Sequence, residues 1–98
     1  MINRIVRMSF QPDKVEVFLK VFEDSKKNIS SFQGCNSLKL LKDIHSENIY
    51  FTYSEWESEN DLDVYRNSEL FASTWSKTKI LFNDKPLAWS TFIEDNVK

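Results

Sequence analysis

The chain has 98 residues, which is enough for one domain but not for two, because domains usually divide only when a core outgrows a few hundred residues. Hydrophobic residues make up 41% of it and charged residues 29%, a balance that excludes intrinsic disorder and favours a packed, soluble fold. The formal net charge of -2 provides no electrostatic basis for binding nucleic acid or an anionic membrane, so neither partner is expected.

Neither secretion nor membrane insertion is expected. The segment from Met1 to Phe10 has no apolar run long enough for a signal peptide, and no later segment approaches a membrane span. The cytoplasm is therefore the expected location. The single cysteine, Cys35, has no partner for an intramolecular disulfide or a thiol metal site, and we expect it to be a small buried hydrophobic residue.

A strand and a helix are predicted first. The segment from Arg4 to Phe10 is apolar and β-tolerant, and Pro12 then suits the first turn of a helix. An apolar stripe at helical spacing predicts that one face of this helix packs on a sheet; it comprises Val15, Phe18, Leu19, Phe22 and Ile29. Val17 and Val21 fall off the stripe and indicate a second contact, for which a partner subunit is one candidate.

A β-hairpin is predicted after this helix. Its strands run from Ser37 to Ile44 and from Ile49 to Trp56, joined by a polar turn from His45 to Asn48. The segment 49–53 is apolar or aromatic on both faces, which a sheet with one solvated face would not need. One layer of helices can cover only one face in so short a chain. The other face must therefore meet another sheet, most simply that of an identical subunit, which predicts a homodimer.

Two short helices and a strand complete the predicted elements. Ser58 can cap the first helix and Ser68 the second, before the segment from Asn83 to Pro86 ends the helical region. The second helix is expected to include four apolar residues in helical phase, namely Phe71, Trp75, Leu81 and Phe82. Leu87 to Ile93 is the last strand. The resulting β-α-β-β-α-β order predicts an α+β, ferredoxin-like fold.

Five short motifs carry a resemblance that covers essentially the whole chain. They are Met1-Ile2-x-Arg4-Ile5-Val6, Phe32-x-Gly34-Cys35, Tyr53-Ser54-x-Trp56-Glu57-Ser58, Leu62-x-x-Tyr65-Arg66-x-Ser68-x-x-Phe71 and Trp75-x-x-Thr78-Lys79-x-x-Phe82. With these motifs the chain resembles the antibiotic biosynthesis monooxygenase family. The resemblance implies a dimeric α+β barrel with a pocket between sheet and helices. It also implies oxygenation of aromatic phenols without metal or flavin, as in founding members, so no cofactor is expected.

The implied chemistry needs a base, an anion stabiliser and a dry aromatic pocket. The candidate catalytic residues are Arg66 as a fixed positive charge, Tyr65, and His45 as the side chain whose ordinary pKa lies near neutrality. The candidate substrate-binding residues are Trp56, Phe71, Trp75 and Phe51.

Each candidate also has a structural interpretation. The aromatic residues could form an ordinary core, since Phe71 and Trp75 are four residues apart on one helix face. Arg66 could pair with Asp63 or Glu69, and His45 could be a solvent-exposed turn residue.

A haem-degrading branch of the family is disfavoured by the same resemblance. It places Tyr65 at the position of the tryptophan of that branch's Asn, Trp and His triad, and Trp75 on or next to the iron-binding histidine. Without a histidine on this helix, the usual axial ligation of iron is lost.

Three functions remain open at the level of sequence. The preferred one is a cofactor-independent monooxygenase acting on a small aromatic or quinone-like compound in an apolar pocket of a homodimer. An alternative is a non-catalytic, dimeric ligand-binding or stress-associated protein on the same fold. A further alternative is an isomerase or decarboxylase that works by proton transfer.

Overall fold

The computed structural model describes all residues from Met1 to Lys98, and it contains four strands and three α-helices. In chain order these are β1 (Ile2–Ser9), α1 (Val15–Ser30), β2 (Cys35–Lys42), β3 (Ile49–Trp56), α2 (Glu59–Arg66), α3 (Glu69–Lys79) and β4 (Leu87–Thr91). A single 3-10 turn, Pro12–Lys14, leads into α1, as the proline predicted. None of the helices has the length and apolar character required to cross a membrane.

The strands form one antiparallel sheet in the order β2-β3-β1-β4. This arrangement confirms the predicted α+β, ferredoxin-like fold, with α1 as the first helical connection and α2 and α3 together as the second. The two central strands, β1 and β3, pair over their whole length, from Ile2 opposite Trp56 to Ser9 opposite Ile49.

All the helices pack against one face of the sheet, which we call the covered face. The even-numbered residues of β1 and β3 point toward it, because side chains alternate along a strand. Met8 and its neighbour Tyr50 form the core there with Phe10 and Phe18, and Leu81 completes this cluster. The core therefore lies at the end of the sheet where β1 leads into α1.

The opposite face of the sheet carries no helix, and we call it the open face. Tyr53 and Phe51 lie on it beside Ile5 and Arg7. Trp89 of β4 is 46% exposed there, although tryptophan in a strand is usually well buried. The predicted two-faced character of β3 is thus a property of the folded sheet.

Gly34 is the one position where the backbone requires glycine. Its φ of +88° is a conformation that side-chain-bearing residues rarely adopt. A Cβ at this position would also lie 2.5 Å from the Cβ of Asp61, in the first turn of α2. Glycine here lets the start of β2 approach α2 closely.

Both predicted boundaries of the first hairpin strand were wrong, whereas those of β3 are confirmed. β2 begins at Cys35 and not at Ser37, and it ends at Lys42 and not at Ile44. The carboxylate of Asp43 accepts hydrogen bonds from the backbone N–H groups of His45 and Ser46, at 3.0 and 2.9 Å. This Asx-type turn draws the chain out of the strand before Ile44.

The predicted end of α3 was also wrong. The helix stops at Lys79, and neither Leu81 nor Phe82 belongs to it. The carbonyl of Leu81 instead accepts the N–H of Gln11 at 2.9 Å, and Phe82 forms an isolated β-bridge with Phe10. Backbone pairing with the residues after β1 therefore replaces the last helical turn, while the apolar side chains still reach the core.

The last strand and two side-chain placements also differ from expectation. The strand β4 ends at Thr91, two residues before the predicted Ile93. Val17 is 47% exposed and has no second contact within the chain, whereas Val21 lines a cavity within the fold. Cys35 is half-buried, and burial raises the pKa of its thiol.

Candidate functional site

A cavity of about 280 Å³ lies between the covered face of the sheet and the three helices. Its floor includes Val6 and Thr52, which are neighbours on β1 and β3, and its walls come from all three helices. Cavities of roughly 150 Å³ can hold one benzene ring, so this volume suits two or three fused rings. The site therefore has the size of a small aromatic molecule.

Four of the predicted site residues form one aromatic wall of this cavity. Trp56 and Tyr65 are stacked with ring centroids 4.8 Å apart, and the edge of Tyr65 meets Phe71 at 5.3 Å. Phe71 in turn stacks on Trp75 at 5.8 Å. The structural and functional interpretations of these residues are thus compatible, since each ring packs on its neighbours and also faces the cavity.

Two serine caps position this aromatic wall. Ser58 accepts the N–H of Asp61 at 3.1 Å and begins α2. Ser68 accepts the N–H of Phe71 at 3.1 Å and begins α3, while its own hydroxyl donates to the carbonyl of Tyr65 at 2.6 Å. Ser68 therefore ties the end of α2 to the start of α3 and fixes Tyr65 relative to Phe71.

The buried polar atom of Trp56 has a partner within the sheet. This residue is fully buried, and its Nε1–H donates to the Oγ of Ser54 at 2.9 Å. Because a buried indole N–H without a partner would destabilise the fold, the serine two residues earlier satisfies it. Trp56 is accordingly a fixed part of the wall.

Tyr65 is a neutral phenol at physiological pH. Burial raises its pKa to about 12, and the nearby Cys35 thiol adds to this effect. A phenol with such a pKa donates a hydrogen bond and does not act as a general base near neutrality. Tyr65 can therefore stabilise a developing negative charge in the cavity.

Arg66 lines the cavity at the end of α2 and forms an ion pair with Asp63, one of the two partners predicted for it. Its side chain remains 37% exposed, so the guanidinium stands at the mouth of the cavity. The exposure also keeps the ion pair weak, because solvent screens such surface pairs.

Arg4 is a second cation of the cavity, and the sequence analysis did not select it as a site residue. It points inward from β1 and donates from a guanidinium nitrogen to the Oγ of Ser90 at 3.0 Å. Burial, and then the neighbouring Arg66, lower its pKa. The signal was present in the sequence, since Arg4 is in phase with the inward-facing Val6 and Met8.

Two predicted site residues do not lie at the cavity, which corrects their expected placement. Phe51 pairs with Arg7 and Leu41 on the open face, because its odd position in β3 turns it away from the helices. His45 is exposed in the turn between β2 and β3. That turn lies at the far end of β3 from Ser54, the neighbour of Arg4.

The wall of the cavity contains no histidine, cysteine or carboxylate. In the whole chain, no group of three or more such side chains is placed to hold a metal ion. In the haem-degrading branch of the family, a histidine binds the iron at or next to the position of Trp75, and in this chain Trp75 lines the cavity. What the site offers a ligand is therefore aromatic surface, hydroxyl groups and two guanidinium groups.

Comparison with known proteins agrees with this architecture. Among solved structures, an antibiotic biosynthesis monooxygenase superposes with a TM-score of 0.91 at 14% identity, covering 97% of this chain and 100% of that one. Rv0793 from Mycobacterium tuberculosis superposes with a TM-score of 0.88 at 15% sequence identity, covering 99% of this chain and 98% of that one. SnoaB from Streptomyces nogalater, a cofactor-independent oxygenase, superposes with a TM-score of 0.83 at 13% identity, covering 98% of this chain and 95% of that one.

At these identities the structural likeness shows the fold alone. No protein with a curated description matches the chain in sequence. The sequence model of a family described as antibiotic biosynthesis monooxygenase, however, matches residues 1–75, which is more than half of the chain. The chain therefore belongs to the antibiotic biosynthesis monooxygenase family.

Proposed function

We propose that the protein is a cofactor-independent monooxygenase that oxidises a small aromatic or quinone-like compound, and that it works as a homodimer. The observation that carries this proposal is the aromatic-walled cavity with a guanidinium group at its mouth, in a chain of this family. Its volume matches two or three fused rings, which is the size of an anthrone-type substrate.

The reaction uses electrons that the substrate itself supplies. The methylene group of an anthrone-type compound loses a proton to give a delocalised carbanion, which forms a C–O bond with O₂. The resulting peroxide is protonated and then loses water as the second C–H proton leaves, so that a carbonyl remains. One oxygen atom ends in the product and the other in water, and the substrate provides all four electrons.

The cavity residues have distinct roles in this scheme. The negative charge of the carbanion is delocalised onto the carbonyl oxygen of the substrate. Arg66 stabilises this charge, and the neutral phenol of Tyr65 donates a hydrogen bond to the same oxygen. Trp56, Phe71 and Trp75 hold the rings and exclude water. Because the wall has no carboxylate or histidine, the proton leaves to solvent from a substrate made more acidic by the positive charge. We assign no role to His45 or Phe51.

The proposed dimer is supported by the size of the exposed surface. The accessible surface of the chain is 6656 Å². A monomer of its 11.6 kDa mass typically exposes about 5,800 Å². The excess of about 800 Å² is similar in size to what one partner commonly buries in a stable interface, although the exposed residues 92–98 also contribute to it. The open face carries both charge signs, Arg7 and Lys39 against Glu55, so two copies related by a two-fold axis can pair opposite charges.

A ligand-binding protein is the second candidate. It is favoured by the absence of an acid–base side chain on the cavity wall, since binding needs no proton transfer. The same observation argues against an isomerase or decarboxylase working by proton transfer, because either enzyme must deliver a proton to a substrate carbon, and the wall has no carboxyl or imidazole group to do so.

The test is oxygen consumption by the metal-stripped protein with a panel of anthrones, hydroquinones and catechols at neutral pH. We expect saturable uptake of one O₂ per anthrone converted to its quinone, without release of H₂O₂, and at least a tenfold lower kcat in Arg66→Ala with a smaller loss in Trp75→Phe. Lys77→Ala, which removes an exposed cation of α3, serves as the matched control. Absence of uptake with every compound would contradict the monooxygenase and leave the binding protein.

A further inference from the structure

The cavity has an unusual distribution of charge. Its only charged lining residues are two arginines, Arg4 and Arg66, and no acidic side chain lines it. Asp63 neutralises one of them from outside the wall by pairing with Arg66. Asp63 also acts on Arg4 at longer range and raises its pKa, but Arg4 itself forms no ion pair. The cavity wall therefore presents one guanidinium group that no carboxylate contacts.

The two guanidinium groups approach one end of the cavity from opposite sides. Arg4 rises from β1, the floor, in a row with Ser54 and Ser90. Arg66 comes from the last residue of α2, which covers this end. The core cluster around Met8 and Phe18 lies toward the opposite end. The cavity is thus polar and cationic at one end and apolar at the other.

Two like charges beside one cavity repel each other, and the single carboxylate of Asp63 offsets this repulsion only in part. At Arg4, burial and then the nearness of Arg66 lower the pKa more than Asp63 raises it, although an arginine stays protonated at physiological pH. The side chain of Arg4 donates one hydrogen bond, to Ser90, which leaves most of its five N–H groups without a partner in the chain.

We propose that Arg4 and Arg66 form a carboxylate-binding subsite, and that the ligand of this cavity is an aromatic acid of two or three fused rings. The fork of a guanidinium group matches the two oxygens of a carboxylate, which makes arginine well suited to this ligand class. The rings then lie against Trp56, Tyr65 and Trp75. The inference deepens the proposed function by naming the substrate class, but it concerns binding and does not require turnover.

The test compares matched acids and amides by isothermal titration calorimetry. The probes are 2-naphthoate and anthracene-2-carboxylate, each measured beside its neutral amide at pH 7. We expect each acid to bind at least about tenfold more tightly than its amide, as charge-assisted hydrogen bonds require. Arg4→Gln and Arg66→Gln should each remove most of this difference while leaving amide binding unchanged. Lys77→Gln, on the solvent side of α3, should leave both affinities unchanged.

Each outcome decides the proposal. Equal binding of acid and amide, binding of neither, or unchanged acid binding in both arginine variants would overturn it. If Arg4→Gln loses amide binding and melts early, Arg66→Gln still tests the proposal, because that side chain is 37% exposed and its ion pair with Asp63 is screened by solvent. The subsite and the monooxygenase fail independently. Arginine-dependent acid binding without oxygen uptake upholds the subsite alone. Oxygen uptake that falls in Arg66→Ala, together with equal binding of acid and amide by the wild type, upholds the monooxygenase alone.

Discussion

The two faces of the β-sheet are both apolar, yet they have different surroundings. On the covered face, Met8 is 3% exposed beneath α1 and takes part in the core. On the open face, Trp89 is 46% exposed and no element of the chain lies over it. Side chains from the same strands alternate between these environments. Hydrophobic strands therefore predict two apolar faces of a sheet, but not whether the chain itself covers each of them.

The two faces also differ in the surroundings of their charged side chains. Arg4 on the covered face stands at a cavity with one other cation and no acid on the wall. Lys39 on the open face lies 5.8 Å above the ring of Tyr53, and Glu55 accepts a hydrogen bond from Ser37 at 2.7 Å. The covered face thus leaves a positive charge available to a ligand, whereas charges on the open face interact with their neighbours on the sheet.

The largest expected effect concerns the core of the covered face. Phe10 is fully buried and stacks on Phe18 with centroids 4.1 Å apart. Phe10→Ala should lower the free energy of unfolding by about 3–5 kcal/mol, through lost burial and the cavity left behind. Urea denaturation measures this change in the free energy of unfolding. Phe92→Ala, at a position 68% exposed in the tail, should change stability by less than about 0.5 kcal/mol. Equal effects would show that the tail also packs into the core.

The next effect concerns the titration of Tyr65. Its pKa is about 12 in the folded chain against an ordinary value of 10.0. Folding therefore favours the neutral phenol. Its contribution to the free energy of unfolding is complete below pH 10 and disappears as the pH rises to 12. Two pKa units correspond to at most about 2.7 kcal/mol, and less with solvent near the ring. Ultraviolet titration of wild type against Tyr65→Phe should resolve the phenol. A midpoint near 10 would contradict its burial.

On the open face, Trp89→Ser should dissociate the proposed dimer. Large aromatic residues are frequent hot spots of interfaces, where their loss costs about 2 kcal/mol or more, which is at least a tenfold weaker dimer. Sedimentation velocity across a concentration series measures this. Ile44→Ser changes an apolar residue that is 89% exposed in the β2–β3 turn and should have no effect. A wild-type protein that stays monomeric at micromolar concentration would remove the explanation offered for the open face.

The sequence predicted the two apolar faces of the sheet and the positions of the helices, because both follow from simple patterns of residues. The apolar and aromatic residues on both sides of β3 indicated that both faces of the sheet are hydrophobic, and the serine caps located the starts of α2 and α3. Alternation of side chains along β1 would have placed Arg4 on the cavity side with Val6 and Met8, and alternation along β3 would have placed Phe51 on the face opposite Trp56. The end of α3 could not be predicted this way, because Phe82 keeps helical phase while its backbone pairs with Phe10, a residue distant in sequence.

The smallest effect separates two helix caps that look equivalent in sequence. Ser58→Ala and Ser68→Ala each remove a hydrogen bond to a backbone N–H and should each cost about 1 kcal/mol of stability. Only Ser68 also donates to the carbonyl of Tyr65, and so it alone ties the rings of Tyr65 and Phe71 into one wall. Ser68→Ala should therefore weaken binding of 2-naphthamide in the cavity several-fold, while Ser58→Ala leaves it unchanged. If both variants bind the amide equally well, packing of the rings alone holds this wall in place, and the hydroxyl of Ser68 serves only the helix that it begins.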